Sequence, residues 1–155
     1  MAPETITITQ DSRLLSMSCK VEIRIRANAE RVWALLTHAG GYPRWNSTIT
    51  RVDGHIREGQ RLRLYLLGTT RTFTPLVSGV APQRGMTWSD GVPAVFRGVR
   101  TFRLVQRPDG STDFEMQERF SGLVFALVKR AMPDFGPIFE RFAVDLRCEA
   151  EQPAG

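Results

Sequence analysis

Few side chains in this sequence are of the kind that carry chemistry, and most of those stand alone. His38 and His55 are the two histidines, and neither has a cysteine or a second histidine beside it. Cys19 and Cys148 make no CxxC, so a zinc site lacks its donors and no metal is expected. A Ser-His-Asp triad has little to draw on. Both cysteines read as small buried hydrophobes, and His55 reads as an exposed turn residue. What remains is one charged pair. Between Phe96 and Gln106, Arg100 alternates onto the same face as Gly98, Phe102 and Leu104. Between Thr112 and Gly122, Glu118 shares its face with Phe114, Met116 and Phe120. Both faces must point to the core, so a hairpin through Pro108-Asp109-Gly110 pairs residues whose numbers have an even sum. A slip of one residue would turn one strand inside out. Centred on Asp109, the hairpin sets Leu104 opposite Phe114, Phe102 opposite Met116, and Arg100 opposite Glu118.

An arginine and a glutamate facing inward are tolerable when they bond each other, and costly when either is alone. One reading is a buried ion pair that fixes register. The other is a polar anchor at the end of an apolar cavity, orienting a carbonyl, carboxylate or hydroxyl. The two are compatible. Beside a guanidinium Glu118 stays ionised, which suits anchoring better than general-acid work. Trp45, Trp88, Phe73 and Tyr42 line such a cavity or fill core, and Met86 and Met116 read as gap fillers.

The elements that must position this pair follow from residue periods. Residues 1–16 read as a tail or an extra edge strand, on the strength of the short alternation Thr5-Ile6-Thr7-Ile8-Thr9. From Cys19, apolar Cys19, Val21, Ile23 and Ile25 alternate with Lys20, Glu22, Arg24 and Arg26, a strand with one wet face. Asn28 offers an N-cap, and Val32, Trp33, Leu35 and Leu36 form the stripe of a short helix that Gly40-Gly41 stops. Tyr42-Pro43-Arg44-Trp45 makes a second helical turn. Residues 48–122 read as an antiparallel meander, with turn signals at Asp53-Gly54, Glu58-Gly59, Leu67-Gly68, Pro82 to Gly85, Asp90-Gly91 and Pro108 to Gly110. Leu123 to Met132 is an apolar helical stretch ended by Pro133. Asp134 then caps a long helix whose stripe runs Phe135, Ile138, Phe139, Phe142, Leu146. That stripe must lie on the sheet. No linker or repeat interrupts the chain, so residues 17–151 read as one α+β domain, with 152–155 a C-terminal tail.

The chain has 155 residues and a net charge of +5, with 21 basic residues, of which Lys20 and Lys129 are the lysines. The basic residues sit singly along strands rather than in a run, so the expectation is no nucleic-acid partner. No stretch approaches the roughly 18 apolar residues that span a bilayer, and stable membrane insertion is not expected. The start lacks a secretory pattern, which makes the cytoplasm the expected location and the Asn46-Ser47-Thr48 sequon idle.

Several short segments taken together resemble a known superfamily. They are Val21-Glu22-Ile23-Arg24-Ile25, Ala29 through Thr37, Tyr42-Pro43-Arg44-Trp45-Asn46, Gly59-x-Arg61-Leu62, Thr87-Trp88, Gly98-x-Arg100-x-Phe102 and Glu118-Arg119-Phe120-Ser121-Gly122. Over residues 19–151 the sequence resembles the START / Bet v 1-like (SRPBCC) superfamily, and within it the polyketide cyclase/dehydrase-like proteins. The resemblance implies a helix-grip fold: a curved, seven-stranded antiparallel sheet around the C-terminal helix, with two short helices near the N-terminus. It implies a cavity between sheet and helix, and a small hydrophobic ligand, polyketide- or lipid-like, with no cofactor. No residue matches a defined catalytic motif. Trp45, Leu64, Phe73, Trp88, Phe102, Met116, Phe139 and Phe142 are the expected lining, with Arg100 and Glu118 its polar end. The alternative is an aromatase/cyclase-type enzyme using the same cavity, with Arg100 polarising a carbonyl and Glu118 accepting a proton. A monomer or homodimer fits either.

Overall fold

The computed structural model describes residues 5–153. The outermost parts of both expected tails, residues 1–4 and 154–155, lie outside the described residues.

Period-two alternation becomes strand over most of its length, with Arg61 and Leu62 left outside β4. β1 (Thr7–Ser12) and β2 (Ser16–Ile25) form an antiparallel hairpin in which Gln10 faces Cys19. The Asn28 Oδ1 accepts the Arg31 N–H at 2.9 Å and starts α1 (Ala29–Thr37). A 3₁₀ turn at Ala39–Gly41 leads into α2 (Tyr42–Trp45). β3 (Ile49–Asp53), β4 (Arg63–Leu66) and β5 (Thr72–Phe73) follow, then β6 (Leu76–Ala81), β7 (Gly85–Val92), β8 (Phe96–Gln106) and β9 (Thr112–Ser121). The chain closes with α3 (Leu123–Val128), a 3₁₀ turn at Lys129–Ala131, and α4 (Phe135–Ala150).

Strands β1-β2-β9-β8-β7-β6 form one antiparallel sheet, and β3-β4-β5 form a second. The described strands therefore number nine in two sheets, not seven in one. The cause is local. Leu62 N–H donates to Pro75 O and Val77 N–H to Gln60 O, so the β4 chain stays bonded to the β6 chain. Pro75 has no N–H to give, and the ladder breaks there. β1 supplies the further strand at the sheet's edge.

The α4 stripe lies across the inner face of the large sheet. Phe139, Phe142, Ala143 and Leu146 are buried there against Val21, Ile23, Phe102, Phe114 and Met116 in one core. This is the helix-grip arrangement, an α+β fold with its sheet curved around the C-terminal helix. Arg24 and Asp113 pair at 3.0 Å on the outer face, which stays polar.

Candidate functional site

The hairpin of β8 and β9 has the register that two inward apolar faces demand: Leu104 with Phe114, Phe102 with Met116, Arg100 with Glu118. The Arg100 Nε donates to Glu118 Oε2 at 2.6 Å, and each side chain keeps only 15% of its surface in water. No acceptor among the described residues takes the Arg100 Nη1 or Nη2 groups. The guanidinium carbon sits 5.3 Å from the centre of the Phe139 ring and 6.0 Å from that of Phe142, so α4 lays aromatic faces over the cation. Gly98, one step along β8, leaves room for this. A Cβ there would stand 3.5 Å from Glu118 Oε1 and 3.3 Å from the Phe120 ring.

Register extends the pair into a row across five of the six strands, from β7 to β1. Trp88 lies beside Arg100, Cys19 beside Glu118, and Gln10 beside Cys19. The Gln10 amide donates to Asp134 Oδ1 at 2.8 Å, and Asp134 is the N-cap of α4. That bond, with the Gly136 N–H, holds the Asp134 carboxyl below the usual range. Burial pushes the Cys19 thiol up, while its hydrogen bond with Gln10 pulls the other way. The polar row thus runs from an indole to a helix cap.

The other expected lining residues are all placed on this core. Trp45, Leu64, Trp88, Phe102, Met116, Phe139 and Phe142 are buried in it, and half-buried Phe73 packs against it opposite Leu64. Across the middle of the inner face the rings meet one another. Trp88 lies 4.8 Å from Phe102, Trp45 5.8 Å from Phe142, and Phe114 6.3 Å from Phe142. Tyr42 is fully buried 4.9 Å from Trp45; its hydroxyl donates to Leu36 O at 2.8 Å, and burial raises its pKa. The indole N–H groups of Trp45 and Trp88 are buried and donate to no protein acceptor.

Two grooves open elsewhere. One of about 690 Å³ lies on the outer face, lined by Thr7, Glu22, Arg24, Arg103, Asp113 and Glu115. Another of about 340 Å³ brings His38 and His55 together beside Gly40 and Gly54. Among the described residues no three His, Cys, Asp or Glu side chains gather as a metal would require.

Sequence reasoning missed Gln10 and Asp134 as members of the row, and took Cys19 for plain core. The signal for Gln10 was present: extending the alternation of Ile6 and Ile8 by two residues puts it on their face.

A curved sheet gripping an aromatic helix stripe, with a polar row beneath that stripe, defines a START-like protein of the SRPBCC class. The chain belongs to the family described as polyketide cyclase / dehydrase and lipid transport, whose sequence profile matches residues 16–151. No curated protein matches the sequence. Among solved structures, CalU16 from Micromonospora echinospora is 19% identical, with a TM-score of 0.66 over 96% of this chain and 87% of that one. A START superfamily protein from Mycobacterium smegmatis is 21% identical, with a TM-score of 0.66 over 86% of this chain and 97% of that one. The di-domain ARO/CYC BexL, from the BE-7585A biosynthetic pathway, is 15% identical, with a TM-score of 0.70 over 92% of this chain and 52% of that one. At these identities the likeness is one of fold. No described helix is long and apolar enough to cross a membrane.

Proposed function

We propose that this chain holds a small, largely apolar molecule carrying an oxygen acceptor, between the inner face of the sheet and α4. The observation that carries this reading is the half-buried Arg100, whose Nε is committed to Glu118 while its Nη groups have no partner among the described residues. The buried Trp88 N–H beside it in register adds a second donor without an acceptor. A buried donor left unmatched costs about 1–3 kcal/mol, which a ligand oxygen meeting the Trp88 N–H would recover. A guanidinium suits carboxylate, carbonyl or phenolate oxygen, and the rings above it suit an aromatic or aliphatic body. Because those rings already touch, admitting a ligand requires Phe139, Phe142 or Trp88 to swing aside.

Native mass spectrometry of the purified chain should reveal a co-purified small molecule. A hydroxylated anthraquinone should quench tryptophan fluorescence on binding. Replacing Arg100 and Glu118 together by Met removes the ion pair without stranding either charge. That double variant should fold and bind the quinone at least about tenfold more weakly, the worth of one charge-assisted hydrogen bond. Unchanged binding in the folded double variant would refute the anchoring role.

The family description and the fold shared with BexL support a cyclase reading of the same site. Arg100 then polarises a substrate carbonyl, and Glu118 Oε1, which takes no hydrogen bond among the described residues, accepts the proton. That carboxylate is already engaged by the Arg100 Nε through its other oxygen, and no second carboxylate or imidazole stands beside it in the row, so binding is the better-supported function. Glu118→Gln separates the two: a cyclase loses turnover with its fold intact, whereas a binder keeps its ligand and loses thermal stability.

A further inference from the structure

The apolar side chains that this fold leaves in water are concentrated at one end. Among the described residues, every exposed large aliphatic side chain except Val105 lies where β1 turns into β2, β7 into β8, β4 into β5, and β9 into α3 and α4. Leu14 and Leu15 occupy the first of these turns, and Val92 and Val95 the second. On α3, Phe125 alone is buried, against Phe96 and Phe120, while Leu123, Val124, Leu127 and Val128 face solvent. Leu127 is 84% exposed and Leu14 80%. A patch of this kind on a monomer marks an interaction surface.

Backbone bonds hold the pieces in one body. Gly122 N–H donates to Leu15 O at 3.0 Å, Leu123 N–H to Ala94 O at 2.9 Å, and Val124 N–H to Val95 O at 2.8 Å. Lys129 Nζ donates to Arg13 O at 2.8 Å, fixing a cation beside the leucines. The turns that carry the patch are themselves basic, with Asp11 paired to Arg13 at 3.1 Å and Asp134 at the start of α4 the acids beside them. Residues 13–15, 92–97 and 122–133 contain Arg13, Arg97, Lys129 and Arg130 and no acidic residue.

We infer that this end of the molecule docks on an anionic lipid bilayer, with Leu14, Leu123 and Leu127 entering the headgroup region and Lys129 and Arg130 meeting lipid phosphates. Aliphatic tips carried on separate turns, with cations at their base, match an interface that is apolar inside and anionic at its surface. A protein partner is the poorer fit. Its hot spots draw on Trp and Tyr, and the exposed apolar residues of this end are all aliphatic. Docking is independent of what the inner face binds.

The test is co-sedimentation of the full chain with phosphatidylcholine vesicles, with and without one phosphatidylglycerol in three lipids, at low and physiological salt. The chain should sediment with the phosphatidylglycerol vesicles, less so as salt rises. Leu127→Asp should lower the bound fraction about tenfold, and Arg130→Glu several-fold at low salt, with unchanged circular dichroism. Val105→Asp, at the opposite end of the sheet, should leave binding intact. Failure of the wild type to bind phosphatidylglycerol vesicles overturns the inference, as does equal binding by Leu127→Asp. A homodimer seen by light scattering and dissolved by Leu127→Asp would also overturn it, assigning the patch to a second copy of this chain.

Discussion

Cys19 and Cys148 carry the same side chain in opposite surroundings. Cys19 is buried between Glu118 and Gln10 on the inner face, and Cys148 is exposed on α4. The thiolate is the species that reacts, and burial pushes the Cys19 thiol up. Iodoacetamide at pH 8 should therefore label Cys148 in the folded chain and reach Cys19 only when guanidinium unfolds it. Peptide mapping that finds Cys19 modified in the native protein would contradict this packing. The sign of the linkage follows: an acid whose pKa is raised in the folded state favours folding while protonated. That contribution is complete below the unfolded thiol value and fades as pH rises through the raised one. Of the polar row, Arg100 and Glu118 were legible in the sequence because each interrupts an apolar alternation. The face of Gln10 and the cap role of Asp134 could each be read locally, but their meeting at 2.8 Å joins the first strand to the last helix and no local period encodes it.

At the scale of elements, the β8–β9 hairpin was legible down to its register. Burial of Phe102, Leu104, Phe114 and Met116 leaves that pairing almost no freedom to slip. The break between β5 and β6 was not legible, since no turn signal was read between Thr72 and Ala81 and Pro75 alone removes one donor. The entry into α3 is equally local and more exacting. Gly122 has φ of 120°, and a Cβ there would lie 2.3 Å from Val95 O, the oxygen that accepts the Val124 N–H. Gly122→Ala adds backbone strain of about 1–3 kcal/mol to that overlap and must push α3 away from the β7–β8 turn. Urea unfolding should show a lower midpoint, and vesicle binding should fall with it, because α3 carries Leu123 and Leu127. A variant that melts and binds like the wild type would show that α3 is not set by this contact.

At the scale of the whole molecule, α4 is gripped at both ends, and the two grips differ in strength. Its N-terminus is tied by Asp134, which accepts from Gly136 N–H at 3.0 Å and from exposed Gln10. At the C-terminus α1 reaches over. Arg31 Nε donates to Ala150 O at 2.7 Å, and its Nη2 to Glu149 O at 3.1 Å and Gln152 O at 3.3 Å. Glu151 Oε1 takes the Arg26 N–H at 2.8 Å, bringing the end of β2 into the same knot. One guanidinium therefore satisfies carbonyls that a helix end leaves orphaned, and places a positive charge where the helix dipole is negative. Arg31→Met keeps the aliphatic stem and removes all three donors. Two partly buried carbonyls, of Ala150 and Glu149, then depend on water, a loss of about 1–3 kcal/mol. For a domain of this size that lowers Tm by roughly 3–10 °C. Gln10→Ala, at an exposed bond, should cost about 1 kcal/mol or less. Calorimetry that ranks the two variants in the reverse order would mean that α4 is held from its N-terminal end. The ring stack on Arg100 would then be anchored by the turn that follows α3, not by α1.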